Sequence, residues 1–236
     1  MNQTRLYTVL AAGVVASAIG TAEAATTSIE AYENATVQPG GVRTGSSGVA
    51  FFNIEGLANG NFASYGVARF DAAAVKAAFD AQYGVGLWTI DGVSLELVQS
   101  NAGFTTDGGV SIAWTGDDAT SILENVSPLA YPLDGEFADA VMLTSYTFTQ
   151  VANGTVDAYA LPDLGGLWGD LAAGDIVTLL LAETDATVAA TYAGATNFTY
   201  AGPTLVVSAA PVPLPAALGL LGAPLLLLTR RRVTRA

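Results

Sequence analysis

The sequence predicts an all-β chain, an antiparallel β-sandwich with one short helix, set between two hydrophobic terminal segments. Three observations predict it. Short runs rich in Val, Ile, Thr, Tyr and Phe recur through the centre, each bounded by Gly, Asp or Asn, as in sandwiches and barrels. Only one stretch of that centre, "DAAAVKAAFDAQYG", carries a helical period. Apolar residues make up 51% of the 236 residues and charged residues 12%, enough to bury one core in one domain.

The N-terminal element is "MNQTRLYTVLAAGVVASAIGTAEAA". Arg5 supplies a positive start, Leu6 to Ile19 an apolar run, and Ala22-Glu23-Ala24 a small-x-small cleavage site. That order is a secretory signal peptide over 1–24, so signal peptidase is an expected partner and Ala25 begins the mature chain. The body follows over 25–208. Its helix spans about 71–83: Asp71 stands at the N-cap, Gly84 at the stop, and Val75, Phe79 and Tyr83 share one face. "VSLELV" alternates, with Val93, Leu95 and Leu97 on one side and Ser94 and Glu96 on the other. "VSIAW" groups Val110, Ile112 and Trp114. "VMLTSYTFTQV" and "GTVDAYAL" flank Asn153-Gly154, a hairpin-turn dipeptide, and are expected to pair through it. "DIVTLLLAE" is continuously apolar and reads as a central strand, and "TVAATYA" and "PTLVVS" close the domain.

The tail, 209–236, carries no charge before Arg230. Pro211, Pro213 and Pro215 exclude a regular helix before Ala216. Ala216 to Thr229 would then give about 21 Å of helix at 1.5 Å per residue, a short transmembrane helix against a hydrocarbon core of roughly 30 Å. Arg230, Arg231 and Arg232 form a basic stop that stays on the cytoplasmic side and leaves the body outside.

Val212-Pro213-Leu214-Pro215-Ala216, the Leu/Gly/Ala run and the closing arginines resemble the VPLPA-CTERM sorting signal, a variant of the bacterial PEP-CTERM signal. The resemblance covers about 25 residues. It implies a Gram-negative host that makes extracellular polysaccharide, and an exosortase-type transpeptidase as partner. Residence in the inner membrane would be transient, before transfer to the cell surface or extracellular matrix. A second resemblance lies in the body. "ASYGVARFDAAAV" with Arg69-Phe70-Asp71 at a strand end, "IDGVSLELVQSN" and "TNFTYAGPTLVVS" are similar to DNRLRE-type jelly-roll domains of secreted bacterial proteins. Two departures stand out: Pro203-Thr204-Leu205-Val206-Val207 keeps a proline with shifted spacing, and the Ala-rich helix is an insertion. The resemblance implies a jelly-roll-like sandwich and transfers no binding site.

Composition narrows the chemistry. The chain has neither Cys nor His, which excludes disulfides, thiolate nucleophiles, Cys/His metal sites and a Ser-His-Asp triad. Arg43, Arg69 and Lys76 face twenty acidic residues in the body, a net charge of −17, which repels nucleic acid. Carboxylate pairs of the glycosidase kind would come from Asp117 with Asp118, Glu124, Asp134 with Glu136, or Glu183 with Asp185. The same residues are ordinary turn formers, the reading preferred here, and none forms an ordered calcium loop. No catalytic residue, metal ligand or obligate cofactor is therefore assigned, and calcium is the one ion the acids would suit. Trp88 and Trp114 alternate with core positions, whereas Trp168 in "LGGLWGD" is the candidate ligand contact. The chain reads as a non-enzymatic surface or matrix protein with a structural, adhesive or polysaccharide-associated role. The alternative is a secreted carbohydrate-active enzyme.

Overall fold

The structure, a computed structural model, describes residues 23–133 and 135–213. Ala22, Leu214, Pro215, Ala216 and Arg230 to Arg232 lie outside the described residues, as does Asp134. Ala24, Ala25, Val212 and Pro213 lie within them. Among the described residues no helix is long and apolar enough to cross a membrane.

The alternation in "VSLELV" belongs to a long strand, Trp88–Val98, that buries Trp88, Ile90, Val93, Leu95 and Leu97. The step from Ile90 to Val93 breaks strict alternation. It is absorbed opposite Ser208 and Ala209, where Ser208 pairs with Gly92 and Ala209 with Ile90, leaving Asp91 as an extra residue. Twelve strands form in all among the described residues. In chain order they are β1 (Ala25–Glu30), β2 (Glu33–Gln38), β3 (Gly41–Val42), β4 (Phe51–Glu55), β5 (Tyr65–Asp71) and β6 (Trp88–Val98). There follow β7 (Gly108–Thr115), β8 (Val141–Phe148), β9 (Val156–Ala160), β10 (Ile176–Glu183), β11 (Ala189–Ala193) and β12 (Thr204–Pro211).

The strands make a four-stranded sheet, β1-β12-β6-β9, and a six-stranded sheet, β3-β2-β5-β10-β7-β8. A ribbon of β4 and β11 completes the set, and every pairing is antiparallel. The chain is thus an antiparallel β-sandwich. Leu95 and Leu205 from one sheet meet Phe70, Ile112 and Leu179 from the other, and the ribbon adds Phe52 and Tyr192. The apolar strand β10 lies between β5 and β7, as its composition predicts. β12 runs past residue 208 to Pro211, which pairs with Trp88 on one side only, a position where a missing N–H is tolerated.

Among the described residues three α-helices accompany the sheets: α1 (Ser46–Ala50), α2 (Ala73–Tyr83) and α3 (Leu167–Ala173). The predicted helix is α2. Asp71 Oδ1 accepts from the Ala73 N–H at 3.0 Å, and Gly84, at φ 95°, closes the last turn through its N–H on Asp80 O. Val75 and Phe79 are buried, and Phe79 packs on Trp88 with ring centroids 5.1 Å apart. α1 and α3 are too short to show a period, so the single predicted helix undercounts.

One pairing departs from expectation. β8 and β9 do not form a hairpin: β8 pairs with β7 in the six-stranded sheet and β9 with β6 in the other. The Asn153-Gly154 turn carries the chain between sheets, held by Asn153 Oδ1 on the Ala102 N–H and by the Gly154 N–H on Gln99 O. A turn dipeptide fixes a local bend and leaves the partner to packing. Tyr146 of β8 and Tyr159 of β9 stack across this edge at 3.6 Å between centroids.

Between β7 and β8, residues 116–133 and 135–140 cross the outer face of the six-stranded sheet as a strap. Ile122, Leu129, Tyr131 and Phe137 of the strap pack on Ala35, Val37, Tyr65, Val67 and Leu180, making a second, smaller core. Arg69, only 5% exposed, pins its start. The guanidinium donates to Thr120 O at 2.6 Å, Asp117 O at 3.5 Å and Thr178 Oγ1 at 3.3 Å, and lies 3.6 Å from Glu33 Oε2. The Arg-Phe-Asp tripeptide thereby divides three tasks: Arg69 fastens the strap, Phe70 fills the central core, and Asp71 accepts from the first N–H of α2, although the N-cap is Ala72, one residue later than expected.

Candidate functional site

Five of the carboxylates singled out from sequence, Asp117, Asp118, Glu124, Glu183 and Asp185, are fasteners. Asp117 accepts from the Ala119 and Thr120 N–H groups and the Thr120 hydroxyl. Those bonds, Thr120's foremost, hold its carboxyl below the ordinary range. Asp118 accepts from the Thr178 hydroxyl at 2.6 Å, and Glu124 from the Gly45 N–H at 2.7 Å. Glu183 takes the Tyr131 hydroxyl, and Asp185 takes the Thr187 N–H and hydroxyl, which depress its pKa. Glu136 lies half-buried near Tyr65, whose hydroxyl its charge helps to hold neutral. A general acid needs the opposite shift from that of Asp117 and Asp185. Among the described residues no group of three or more acidic side chains is placed to hold a metal ion.

The tryptophans are structural. Trp114 Nε1 donates to Asp170 Oδ2 at 2.8 Å, and its ring lies against Gly165 and Gly166. A Cβ on either glycine would come within 2.6 Å of the ring. Where an open loop was expected, the second half of "LGGLWGD", from Leu167, belongs to helix α3, with Gly166 at its N-cap. Trp168 consequently sits half-buried against the central core, its Nε1 3.4 Å from Leu161 O.

The site that the sequence does not announce is a cleft of about 620 Å³ lined by Gln38, Gly40, Arg43, Thr44 and Asn61, with Pro39, Gly41 and Val42. Residues 38–44, which include the β2–β3 turn, supply all of that lining except Asn61, which comes from the 3-10 segment Leu57–Phe62. Arg43 is held at both ends. Its N–H donates to Thr36 O at 2.8 Å, and Nη1 donates to Asn53 Oδ1 at 3.3 Å. Asn53 is itself fixed, because its Nδ2 donates to Thr191 Oγ1 at 3.0 Å and Glu55 Oε1 at 3.1 Å. Its amide oxygen is therefore turned to Arg43.

Electrostatics distinguish this cation. Arg69 is paired with Glu33 and Lys76 with Asp80. Among the described residues Arg43 is the one basic side chain with no carboxylate within ion-pair distance. Glu55 is the acid nearest this network. Burial raises its pKa above the ordinary carboxylate range, against the opposing Asn53 hydrogen bond and the Arg43 charge. Phe62, next in the chain to the cleft-lining Asn61, is 62% exposed. The lining offers a guanidinium held by Asn53, two amides and a hydroxyl, with the exposed Phe62 next in the chain, and it can hold an anionic or hydroxyl-rich ligand.

The fold is an antiparallel β-sandwich that carries this cleft beside the β2–β3 turn. Compared with known proteins, the chain matches no family model, and no curated protein is detectably similar to it.

Proposed function

We propose that the chain is an exported protein of the cell surface or extracellular matrix, sorted through its C-terminal signal, with a non-catalytic role beside extracellular polysaccharide. The observation that carries this reading is where the sheets begin and end. The first strand starts at Ala25, the residue expected to open the mature chain, and the last ends at Pro211, next to Val212 of the sorting motif. These strands are neighbours, with Ala25 opposite Ala209. Both segments expected to be removed therefore leave the sandwich side by side, and cutting them off breaks no strand pairing between Ala25 and Pro211.

Strand order supports a jelly-roll. With β3, β5 and the β4–β11 ribbon set aside as additions, the remaining eight strands read 1-8-3-6 and 2-7-4-5 across the two sheets. That is the order produced when one long antiparallel hairpin wraps into a double Greek key. The engagement of the acids in turns and in the strap favours a binding role over a glycosidase role. The test is fractionation of the native host with and without its sorting enzyme. The body should reach the surface fraction in the first strain and accumulate in the inner membrane in the second. An identical distribution in both strains contradicts the reading.

A further inference from the structure

We propose that the Arg43 cleft binds an acidic sugar unit, its carboxylate on the Arg43 guanidinium and its ring face on Phe62. The inference deepens the polysaccharide reading above and rests on it for the class of ligand. The charge comes first. A body of net charge −17 has just three cations, and two of them are paired with carboxylates, Arg69 with Glu33 and Lys76 with Asp80. Arg43 is kept at a cleft wall with a single side-chain hydrogen bond, although a guanidinium has five N–H donors. Its remaining donors suit a planar carboxylate, which accepts two parallel bonds.

The position of that guanidinium is prepared. Asn53 is locked by Thr191 and Glu55, so it can orient Arg43 without neutralising it. Gln38 and Asn61 line the cleft with both donor and acceptor capacity, and Thr44 adds a hydroxyl. Those are the partners that ring hydroxyls require. Phe62 is an exposed aromatic at the end of the segment that carries Asn61, and a pyranose presents an apolar C–H face to such a ring. A free inorganic anion would use Arg43 alone. A saccharide would use Arg43, Phe62 and the amides together.

The test is calorimetric titration of the purified full chain, in mild detergent, with a trimer of galacturonic acid. Two controls are the same trimer with its carboxyls reduced to alcohols, and inorganic phosphate. Binding to the acidic trimer is expected with a Kd of about 0.1–1 mM. Arg43→Gln should weaken it by roughly tenfold or more, the size of a lost charge-assisted hydrogen-bond pair. Phe62→Ala should weaken it several-fold, and both variants should keep the parent's urea midpoint. Equal affinity for the reduced trimer, unchanged affinity in Arg43→Gln, phosphate binding as tight as the trimer's, or no binding would each overturn the proposal. The titration does not involve the sorting enzyme, so its failure is distinct from failure of the fractionation test.

Discussion

Replacing Arg69 by methionine tests whether the strap is held as described. The substitution keeps an unbranched stem in the sheet and removes the charged head. Arg69 is 5% exposed, and three oxygens take its hydrogen bonds: Thr120 O, Asp117 O and Thr178 Oγ1. Glu33 loses its cation, but its side chain is 20% exposed and recovers part of its hydration. Breaking a buried ion pair from one side costs about 3–5 kcal/mol, and the partial exposure of Glu33 places this case near the lower end, about 3 kcal/mol. With a urea slope of about 1–3 kcal/mol/M, the midpoint should fall by roughly 1 M or more. Chymotrypsin reads the strap itself, because the bonds after Leu129 and Phe137, both buried beneath it, become cleavable when it lifts. Glu33→Gln in the same chain should restore part of the loss, since no uncompensated carboxylate then remains. A loss below about 1 kcal/mol with unchanged strap cleavage would refute the anchoring role.

Further predictions follow from the same geometry. Gly166→Ala forces a Cβ to 2.6 Å from the Trp114 ring, so stability should fall by about 1–3 kcal/mol, with a shifted tryptophan emission spectrum. Phe79→Ala empties the contact between α2 and Trp88, and thermal unfolding should show a loss of about 3–5 kcal/mol. The Tyr131 hydroxyl is pushed up to about 12 by burial and by Glu183, and burial also raises Tyr65, Tyr146, Tyr159 and Tyr192. Their phenol forms favour the folded chain, so this stability is complete below pH 10 and is lost as pH rises beyond it. Absorbance at the phenolate band should therefore show these groups ionising late, together with unfolding. Early ionisation in a still-folded chain would contradict their placement.

The parts legible in the sequence were those where a local period meets a burial boundary. β6 alternates because one of its faces lines the core, and β10 is apolar throughout because both its faces are covered, one by the central core and one by the strap. α2 announces itself through Asp71, Gly84 and the Val75–Phe79 spacing. The strap did not, because Ile122, Leu129, Tyr131 and Phe137 follow no period and their partners lie far away in sequence. The acids around them gave turn signals and hid the apolar anchors. Asn153-Gly154 gave a correct turn and a wrong partner, since the Tyr146–Tyr159 stack joins two sheets rather than two arms of a hairpin. The cleft draws on residues 38–44 and 61, with Asn53 behind, and no contiguous motif marks it. One available signal was Arg43 itself, a rare cation beside a Pro-Gly-Gly turn in an acidic body.

The central claim is that a self-sufficient sandwich lies between two removable address segments. Mass spectrometry of the surface-bound molecule tests it most directly. The account predicts an N-terminal peptide opening at Ala25 and a C-terminal peptide ending close to the Val212–Ala216 motif. Recovery of peptides that end at Ala236 from the surface-bound form would contradict it.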